Sequence, residues 1–174
     1  MTGKSFLNGV TSDRENLLGR FLSVLAGMDV PYCVIGCLAV NAYVEPVVSL
    51  DLDVVVTLER LDSVLAESSR VGLAIETFEH SINLGSPDSD LRIQLHTDSR
   101  YQAFLVRAGE KDVLGYRMRV ACIEDVLQGK IWAYSDEARR RSKRQKDLAD
   151  IMRLVETYPE LRSLLPEDVR RLMD

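Results

Sequence analysis

The strongest constraint on the fold of this chain is a segment in which a glycine turn and a short helix lead into a strand carrying two aspartates. Gly36 follows a short apolar run, and Asp51 and Asp53 stand directly before the apolar run 54–56. Because successive strand residues point to opposite faces, both carboxylates project from one face, roughly 7 Å apart at the backbone. Their repulsion is about 2–3 kcal/mol at an effective dielectric of about 20. The pair therefore favours a bound cation.

The same segment predicts a place for phosphate beside that cation. Mg²⁺ (or Mn²⁺) suits paired carboxylates, and Mg²⁺ usually keeps several waters and is completed by substrate phosphates. Gly36 and Cys37 begin the helix, and its free backbone N–H groups favour an anion. An isolated Asp-x-Asp pair is also common as solvated or capping acids at a strand end. The glycine-led helix before the pair and the apolar run after it favour the metal and nucleotide interpretation.

These motifs resemble those of a known superfamily. A glycine pair, a helix and Asp-x-Asp on a strand are the signature of the nucleotidyltransferase fold of the DNA polymerase beta type, and here the pair is Gly36-Cys37. The chain is most similar to the minimal nucleotidyltransferases grouped with AbiEii toxins of type IV toxin–antitoxin systems. Their late Lys-Asp-Leu-x-Asp helix is matched by Lys146-Asp147-Leu148-Ala149-Asp150. The resemblance covers approximately residues 30 to 156.

The resemblance implies a Mg²⁺-dependent enzyme that moves a nucleoside monophosphate from an NTP to a hydroxyl of RNA, including tRNA, or of a protein. It also implies an antitoxin as a partner. The expected catalytic residues are Asp51, Asp53 and Lys130, of which the two aspartates hold the metal. The expected nucleotide-binding residues are Gly36, Cys37, Arg92 and Asp147. Arg92 is included because its guanidinium fork fits phosphate oxygens, and a solvated edge residue is the alternative.

One position departs from the family pattern. The family supplies a third acid from a neighbouring strand, and the corresponding strand, 91–96, has Gln94 there. A glutamine amide brings no charge and cannot act as a base. Asp90, just before that strand, and Asp98, which shares the parity of Gln94 if the strand extends, are the candidate replacements. His96 lies on the same face and is either a base near neutral pH or a half-exposed residue at the strand end.

The candidate site residues in the C-terminal region also have alternative interpretations. Lys130 either contacts the triphosphate or is a surface lysine. Asp147 and Asp150 share a helix face, and Asp147 either belongs to the site or forms an exposed pair with Lys143. The basic run 139–146 contacts an RNA or tRNA backbone, binds triphosphate, or is a solvated loop before a helix.

Hydrophobic periodicity predicts an α/β (α+β) fold, with a mixed sheet flanked by helices and a C-terminal helical region. A capping box over residues 12–15 predicts the start of the first helix. The predicted helices are 13–28, 38–43, 59–70, 123–134 and 143–156, with short helices over 159–173. The predicted strands are 32–35, 50–57, 73–78, 91–96 and 113–120, with a polar loop through 85–90. We expect a core over residues 1–121 and a helical region over 122–174, packed as one domain.

Composition and charge exclude several other classes. The chain is 46% hydrophobic and 28% charged, as ordinary globular proteins are. A net charge of −5 gives no global attraction to nucleic acid or to an anionic membrane. The three cysteines, with no Cys-x-x-Cys spacing, argue against a disulfide framework and a zinc site. The N-terminal residues lack a secretory apolar region and no stretch is long enough to span a membrane, so a cytoplasmic protein is expected.

Two functions follow from the sequence. The first is the nucleotidyltransferase just described. The second is a degenerate, non-catalytic module on the same fold that binds nucleotide or a partner, and it is motivated by Gln94 and Cys37, which depart from the family pattern.

Overall fold

The computed structural model describes residues 2–13 and 16–173 of the chain. Its helices are α1 (Gly3–Val10), α2 (Leu17–Gly27), α3 (Gly36–Val40), α4 (Leu61–Arg70), α5 (Phe104–Arg107), α6 (Ile123–Ser135), α7 (Arg141–Thr157) and α8 (Glu167–Arg170). Short 3₁₀ helices cover Leu58–Arg60, Ser99–Ala103, Pro159–Leu164 and Arg171–Met173. Its strands are β1 (Tyr32–Ile35), β2 (Asp51–Val56), β3 (Ala74–Thr77), β4 (Ser81–Ser86), β5 (Ser89–His96), β6 (Gly109–Val113) and β7 (Tyr116–Val120).

The strands form one seven-stranded sheet in the order β3-β4-β5-β2-β1-β7-β6. Strand β2 pairs with β5 in parallel and with β1 in antiparallel fashion, so the sheet is mixed. Strand β1 also pairs with β7 in parallel. The predicted fold class, a mixed sheet flanked by helices, is confirmed.

The register around β2 fixes which side chains are neighbours at the predicted site. Asp51 is paired with Arg92, and Asp53 with Gln94. On the far side of β5, Gln94 is paired with Asn83. Since paired residues in a sheet share a face, these side chains all lie on the same face of the sheet.

The opposite face of β2 is fully buried, with Leu52 and Val54 at 0% exposure. The hydrophobic core also takes in Leu127 of α6 and Leu154 of α7, which come from the predicted C-terminal region. Helices α6 and α7 therefore contribute to the same core as the sheet. The division of the chain after residue 121 stays a prediction.

Helices α4, α6 and α7 lie close to the predicted ranges, and β1, β2 and β5 lie where strands are predicted. Helix α2 begins four residues later than predicted, and Asn16 caps it by accepting a hydrogen bond from the Gly19 amide at 3.3 Å. The predicted capping box includes residues 14 and 15, which lie outside the described residues.

Four elements differ from prediction. Strand β4 was not predicted, and β5 begins at Ser89, inside the predicted polar loop. The predicted strand 113–120 contains the last residue of β6, a two-residue turn and the whole of β7, and the turn residues Leu114 and Gly115 have φ of 52° and 83°. Positive φ at both positions is typical of the type I′ turn that joins antiparallel strands. Helix α1 was also not predicted.

Among the residues that the structure describes, no helix combines the length and the apolar character that a membrane crossing requires.

Candidate active site

The two aspartates of the sequence motif lie on one face of β2, at the end where the strand begins. Residue 53 follows residue 51 by two positions, so both side chains leave the same side of the sheet. Both are partly exposed, at 35% for the Asp51 side chain and 21% for that of Asp53. The carboxylates are therefore open to a ligand from solvent.

Gly36 lies directly against one of these carboxylates. Its φ is +70°, a conformation that residues with a Cβ atom rarely adopt. A Cβ atom built on residue 36 would lie 2.2 Å from Oδ2 of Asp53. The turn between β1 and α3 thus requires glycine twice, for its backbone conformation and for the space that Asp53 occupies.

Helix α3 has only five residues, shorter than the predicted 38–43 helix and shifted toward Gly36. Cys37 is half-buried in its first turn. Burial raises the pKa of the Cys37 thiol and the charge of Asp150 adds to this effect, while Lys130, Arg153 and a hydrogen bond with Ser49 act against it. These influences place Cys37 close to the charged residues of α6 and α7.

Arg92 binds Asp51 from the neighbouring strand. Its Nε and Nη2 atoms donate to Oδ1 of Asp51 at 2.8 and 2.6 Å. The Arg92 side chain is 52% exposed, and exposed ion pairs contribute only about 0–1 kcal/mol to stability. The pair with Asp51 therefore contributes little to stability, and phosphate binding by Arg92 stays a prediction.

His96 binds the second carboxylate, with Nε2 at 2.8 Å from Oδ1 of Asp53. Burial acts to raise the pKa of Asp53, but the hydrogen bond and charge of His96, with the charges of Lys130 and Arg139, outweigh it. The pKa of Asp53 is accordingly held below its ordinary value. Asp53 is thus kept as an anion, the form in which a carboxylate binds metal.

Gln94 occupies the sheet position beside Asp53, where the family pattern calls for an acid. It is half-buried, and the next residue across the sheet, Asn83, is another neutral amide. The Oδ1 atom of Asn83 is buried without a hydrogen-bond partner. The two sheet positions next to Asp53 are therefore neutral amides, and the first acid in this row is Glu76 of β3, which is paired with Asn83.

Neither candidate replacement for Gln94 lies beside Asp53 in the sheet register. Asp98 lies beyond the end of β5, caps the 3₁₀ helix that follows and pairs with Arg100 at 2.7 Å. Asp90 is exposed at the start of β5, two residues before Arg92, which pairs with Asp51. Among the described residues, no group of three His, Cys, Asp or Glu side chains is arranged to hold a metal ion.

Lys130 is buried rather than on the surface, with only 9% of its side chain exposed. Its Nζ atom donates to Asp147 at 3.0 Å and pairs with Asp150 at 2.7 Å. Burial acts to lower the pKa of Lys130, but the charges and hydrogen bonds of Asp150 and Asp147 outweigh it and raise the pKa. The packing of α6 on α7 brings these three together, and a role for Lys130 and Asp147 at the nucleotide stays a prediction.

Arg139, the first residue of the predicted basic run, and Arg153, which the sequence does not single out, extend Lys130, Asp147 and Asp150 into an ionic cluster of five residues. Arg139 donates to Asp147 at 2.7 Å, and Arg153 donates to Asp150 at 2.7 Å. Arg153 also donates to the Asn41 side chain and to the Glu45 carbonyl, in the connection between α3 and β2. The cluster thereby ties helix α7 to the segment that leads to Asp51.

The rest of the basic run has two environments. Arg144 donates to the Tyr134 carbonyl at 2.6 Å and lies over the Tyr134 ring. Arg140 and Arg141 are exposed at the start of α7, where no side chain caps the helix. The run is therefore partly structural and partly an exposed basic surface.

The donor atoms at the site fit a hard divalent cation. Carboxylate oxygens are the ligands that Mg²⁺ prefers, and Mg²⁺ is commonly held by one or two carboxylates with water and phosphate completing its shell. Asp51 and Asp53 would be those carboxylates. Each has one oxygen bonded to a cationic or imidazole side chain, and a metal would compete with Arg92 and His96 for them.

Solved structures with the same fold are nucleotidyltransferases. ANT(2'')-Ia in complex with adenylyl-2''-tobramycin aligns with a TM-score of 0.62 and 17% identity, over 90% of this chain and 92% of that one. The lincosamide antibiotic adenylyltransferase LnuA, bound to lincomycin, aligns with a TM-score of 0.56 and 13% identity, over 80% and 97%.

A third structure, an antigenic nucleotidyltransferase-like protein from Paracoccidioides brasiliensis, aligns with a TM-score of 0.55 and 18% identity, over 86% of this chain and 75% of that one. No protein-family model matches the chain, and no curated protein matches it in sequence. At such low identity the likeness concerns the fold. The chain has the fold of the nucleotidyltransferases.

Proposed function

We propose that this chain is a Mg²⁺-dependent nucleotidyltransferase that moves a nucleoside monophosphate from an NTP to a hydroxyl group and releases pyrophosphate. The observation that carries the proposal is the carboxylate pair on β2, with Gly36 packed against Asp53. This arrangement occurs in the fold shared with ANT(2'')-Ia and LnuA. Geometry and fold thus support the same chemistry.

In this proposal Asp51 and Asp53 hold the divalent cation. When bound, that cation neutralises charge on the transferring phosphoryl group and lowers the pKa of the attacking hydroxyl. Arg92 leaves Asp51 and binds a phosphate oxygen, for which its planar fork is suited. His96 keeps Asp53 oriented through its hydrogen bond.

The nucleotide is proposed to lie between β2 and the start of α3, near Gly36 and Cys37. Lys130 and Asp147 support this site from α6 and α7, because Lys130 and Arg139 both act electrostatically on Asp53. The Lys130 ammonium group pairs with both Asp147 and Asp150. We therefore propose that Lys130 helps to position the site through the ionic cluster.

For the acceptor we propose a hydroxyl of RNA or of a protein. The exposed Arg140 and Arg141 at the start of α7 supply positive charge in a chain of net charge −5. A role as a toxin, with an antitoxin as partner, rests on the resemblance of the 146–150 helix. A small-molecule hydroxyl is the alternative acceptor, since LnuA was solved with lincomycin and ANT(2'')-Ia with adenylyl-2''-tobramycin.

The second candidate function is a module that binds nucleotide without turning it over. Gln94 favours it, because a neutral amide beside Asp53 removes one anionic ligand from the site. The two functions differ in a single observable, the release of pyrophosphate. Binding of nucleotide without that release supports the module.

Incubation with each α-labelled NTP and Mg²⁺, together with total RNA or the protein itself as acceptor, tests the enzyme directly. We expect label transfer and pyrophosphate release by the wild type and loss of both in Asp51→Ala. Asp62→Ala, which removes an exposed carboxylate from α4, is the matched control and keeps full activity. Normal labelling by Asp51→Ala would refute the assignment of the site.

A further inference from the structure

The charges around the carboxylate pair limit how many divalent cations it can hold. Asp51 and Asp53 carry two negative charges, and Arg92 adds one positive charge at 2.6 Å from Asp51. In the nucleotide-free chain, where Arg92 stays on Asp51, one divalent cation gives a local net charge of +1 and two give +3, even with His96 counted as neutral. Lys130 and Arg139 also act on Asp53, and Asp147 and Asp150, which pair with them, offset their charge. A second divalent cation is therefore electrostatically disfavoured.

The side chains near Asp53 also provide no anionic ligand for a second cation from β5. A second ion beside Asp53 would need an anionic ligand from β5, and the residue in register there is Gln94. Across the next strand pair lies Asn83, again neutral. Among residues 2–13 and 16–173, no third acidic, histidine or cysteine side chain joins Asp51 and Asp53 in a metal-binding arrangement. Mg²⁺ gives up its water reluctantly, and a neutral amide offers little to offset that cost.

From these observations we infer that, without bound nucleotide, the site binds a single divalent cation, held by Asp51 and Asp53, and that Gln94 is the residue that excludes a second. The inference rests on the proposed function, which places a metal at this carboxylate pair. In the site so defined, Gln94 contributes an uncharged hydrogen-bonding group next to the metal. The amide can orient an acceptor hydroxyl, but it cannot remove its proton.

The number of bound ions can be counted without any enzymatic reaction, by titrating the full chain with Mn²⁺ and measuring the free ion by electron paramagnetic resonance. We expect one Mn²⁺ per wild-type chain and one per Gln94→Asn chain. Gln94→Asp, which differs from Gln94→Asn only in its charge, is expected to bind two. Asp53→Asn is expected to lose the bound ion, and circular dichroism checks that every variant is folded.

The wild-type count alone keeps the inference testable if Gln94→Asp does not fold. Two Mn²⁺ ions on the wild type, both lost in Asp53→Asn, would overturn the single-ion inference and leave the proposed function standing. A folded Gln94→Asp that still binds one ion would overturn the role given to Gln94. No Mn²⁺ bound by the wild type would overturn the inference and the proposed metal-dependent function together.

Discussion

Gly36 and Asp53 are in such close contact that the glycine leaves no room for a side chain: a Cβ atom on residue 36 would lie 2.2 Å from Oδ2 of the aspartate. The two residues come from different elements, the first residue of α3 and the third residue of β2. Their contact joins the predicted phosphate-binding turn to the predicted metal ligand. A substitution at either position therefore affects both.

Gly36→Ala is expected to destabilise the fold. A residue with a Cβ atom at φ +70° costs about 1–2 kcal/mol, and the displacement of Asp53 adds to this. Urea unfolding measures the effect. Gly27→Ala, at the end of α2 with open space around the built Cβ atom, is the matched control and should be neutral or slightly stabilising. Equal stability of the Gly36→Ala and wild-type proteins would contradict the contact.

Lys130→Met is expected to lower the free energy of unfolding by about 3 kcal/mol, because it leaves Asp147 and Asp150 buried with less positive charge. Lys146→Met removes an exposed lysine from α7, the helix that carries Asp147 and Asp150, and should change stability by less than about 0.5 kcal/mol. Chemical denaturation compares the two variants. A similar small loss in both would show that Lys130 is not part of a buried cluster.

The Lys130 cluster also predicts a dependence of stability on alkaline pH. The pKa of Lys130 is raised in the folded chain, because Asp150 and Asp147 outweigh the effect of burial. Its contribution is therefore complete below the unfolded pKa of about 10.4 and is lost as pH rises through the higher folded pKa. The difference in unfolding free energy between wild type and Lys130→Met should be constant from neutral pH to about pH 10 and shrink above it. A difference that grows with pH would contradict the raised pKa.

Thiol labelling provides a test of where nucleotide binds. Burial raises the pKa of Cys33 to about 12, so Cys33 should resist alkylation at pH 8 in the folded chain. Cys37 and Cys122 are half-buried and should react slowly. Mg²⁺ with the bound NTP should protect Cys37 and leave Cys122 unchanged, as judged by mass spectrometry of iodoacetamide-treated protein. Protection of neither thiol would remove Cys37 from the nucleotide site.

The sequence was sufficient to predict the elements with long, regular hydrophobic patterns, such as α6 and α7, and the strand that carries Asp51 and Asp53. It was not sufficient for β4, a short strand with Gly85 near its end that pairs with β5 next to it. The turn between β6 and β7, inside the predicted strand 113–120, was also missed. Leu114 takes a positive φ there, and leucine is not a residue that signals a turn. Local sequence patterns alone therefore do not determine these strand pairings and turns.

Within the site, the partnerships between distant residues were the part that sequence could not supply. Lys130 and Asp147 are 17 positions apart, and Asp53 and His96 are 43 apart. Whether a lysine is exposed or buried depends on such partners, which only the packing of α6 on α7 brings together. The placement of Gln94 beside Asp53, in contrast, was implied by the resemblance to the nucleotidyltransferases, and the β2–β5 register puts Gln94 there.

Calorimetric titration of the wild-type chain and of Asp53→Asn with ATP, CTP, GTP and UTP, each with and without Mg²⁺, tests the proposed metal and nucleotide site most directly. We expect at least one NTP to bind the wild type, only when Mg²⁺ is present, and we expect Asp53→Asn, checked for folding, not to bind it. Undiminished binding by Asp53→Asn, or no binding of any NTP by the wild type, would contradict the proposed site.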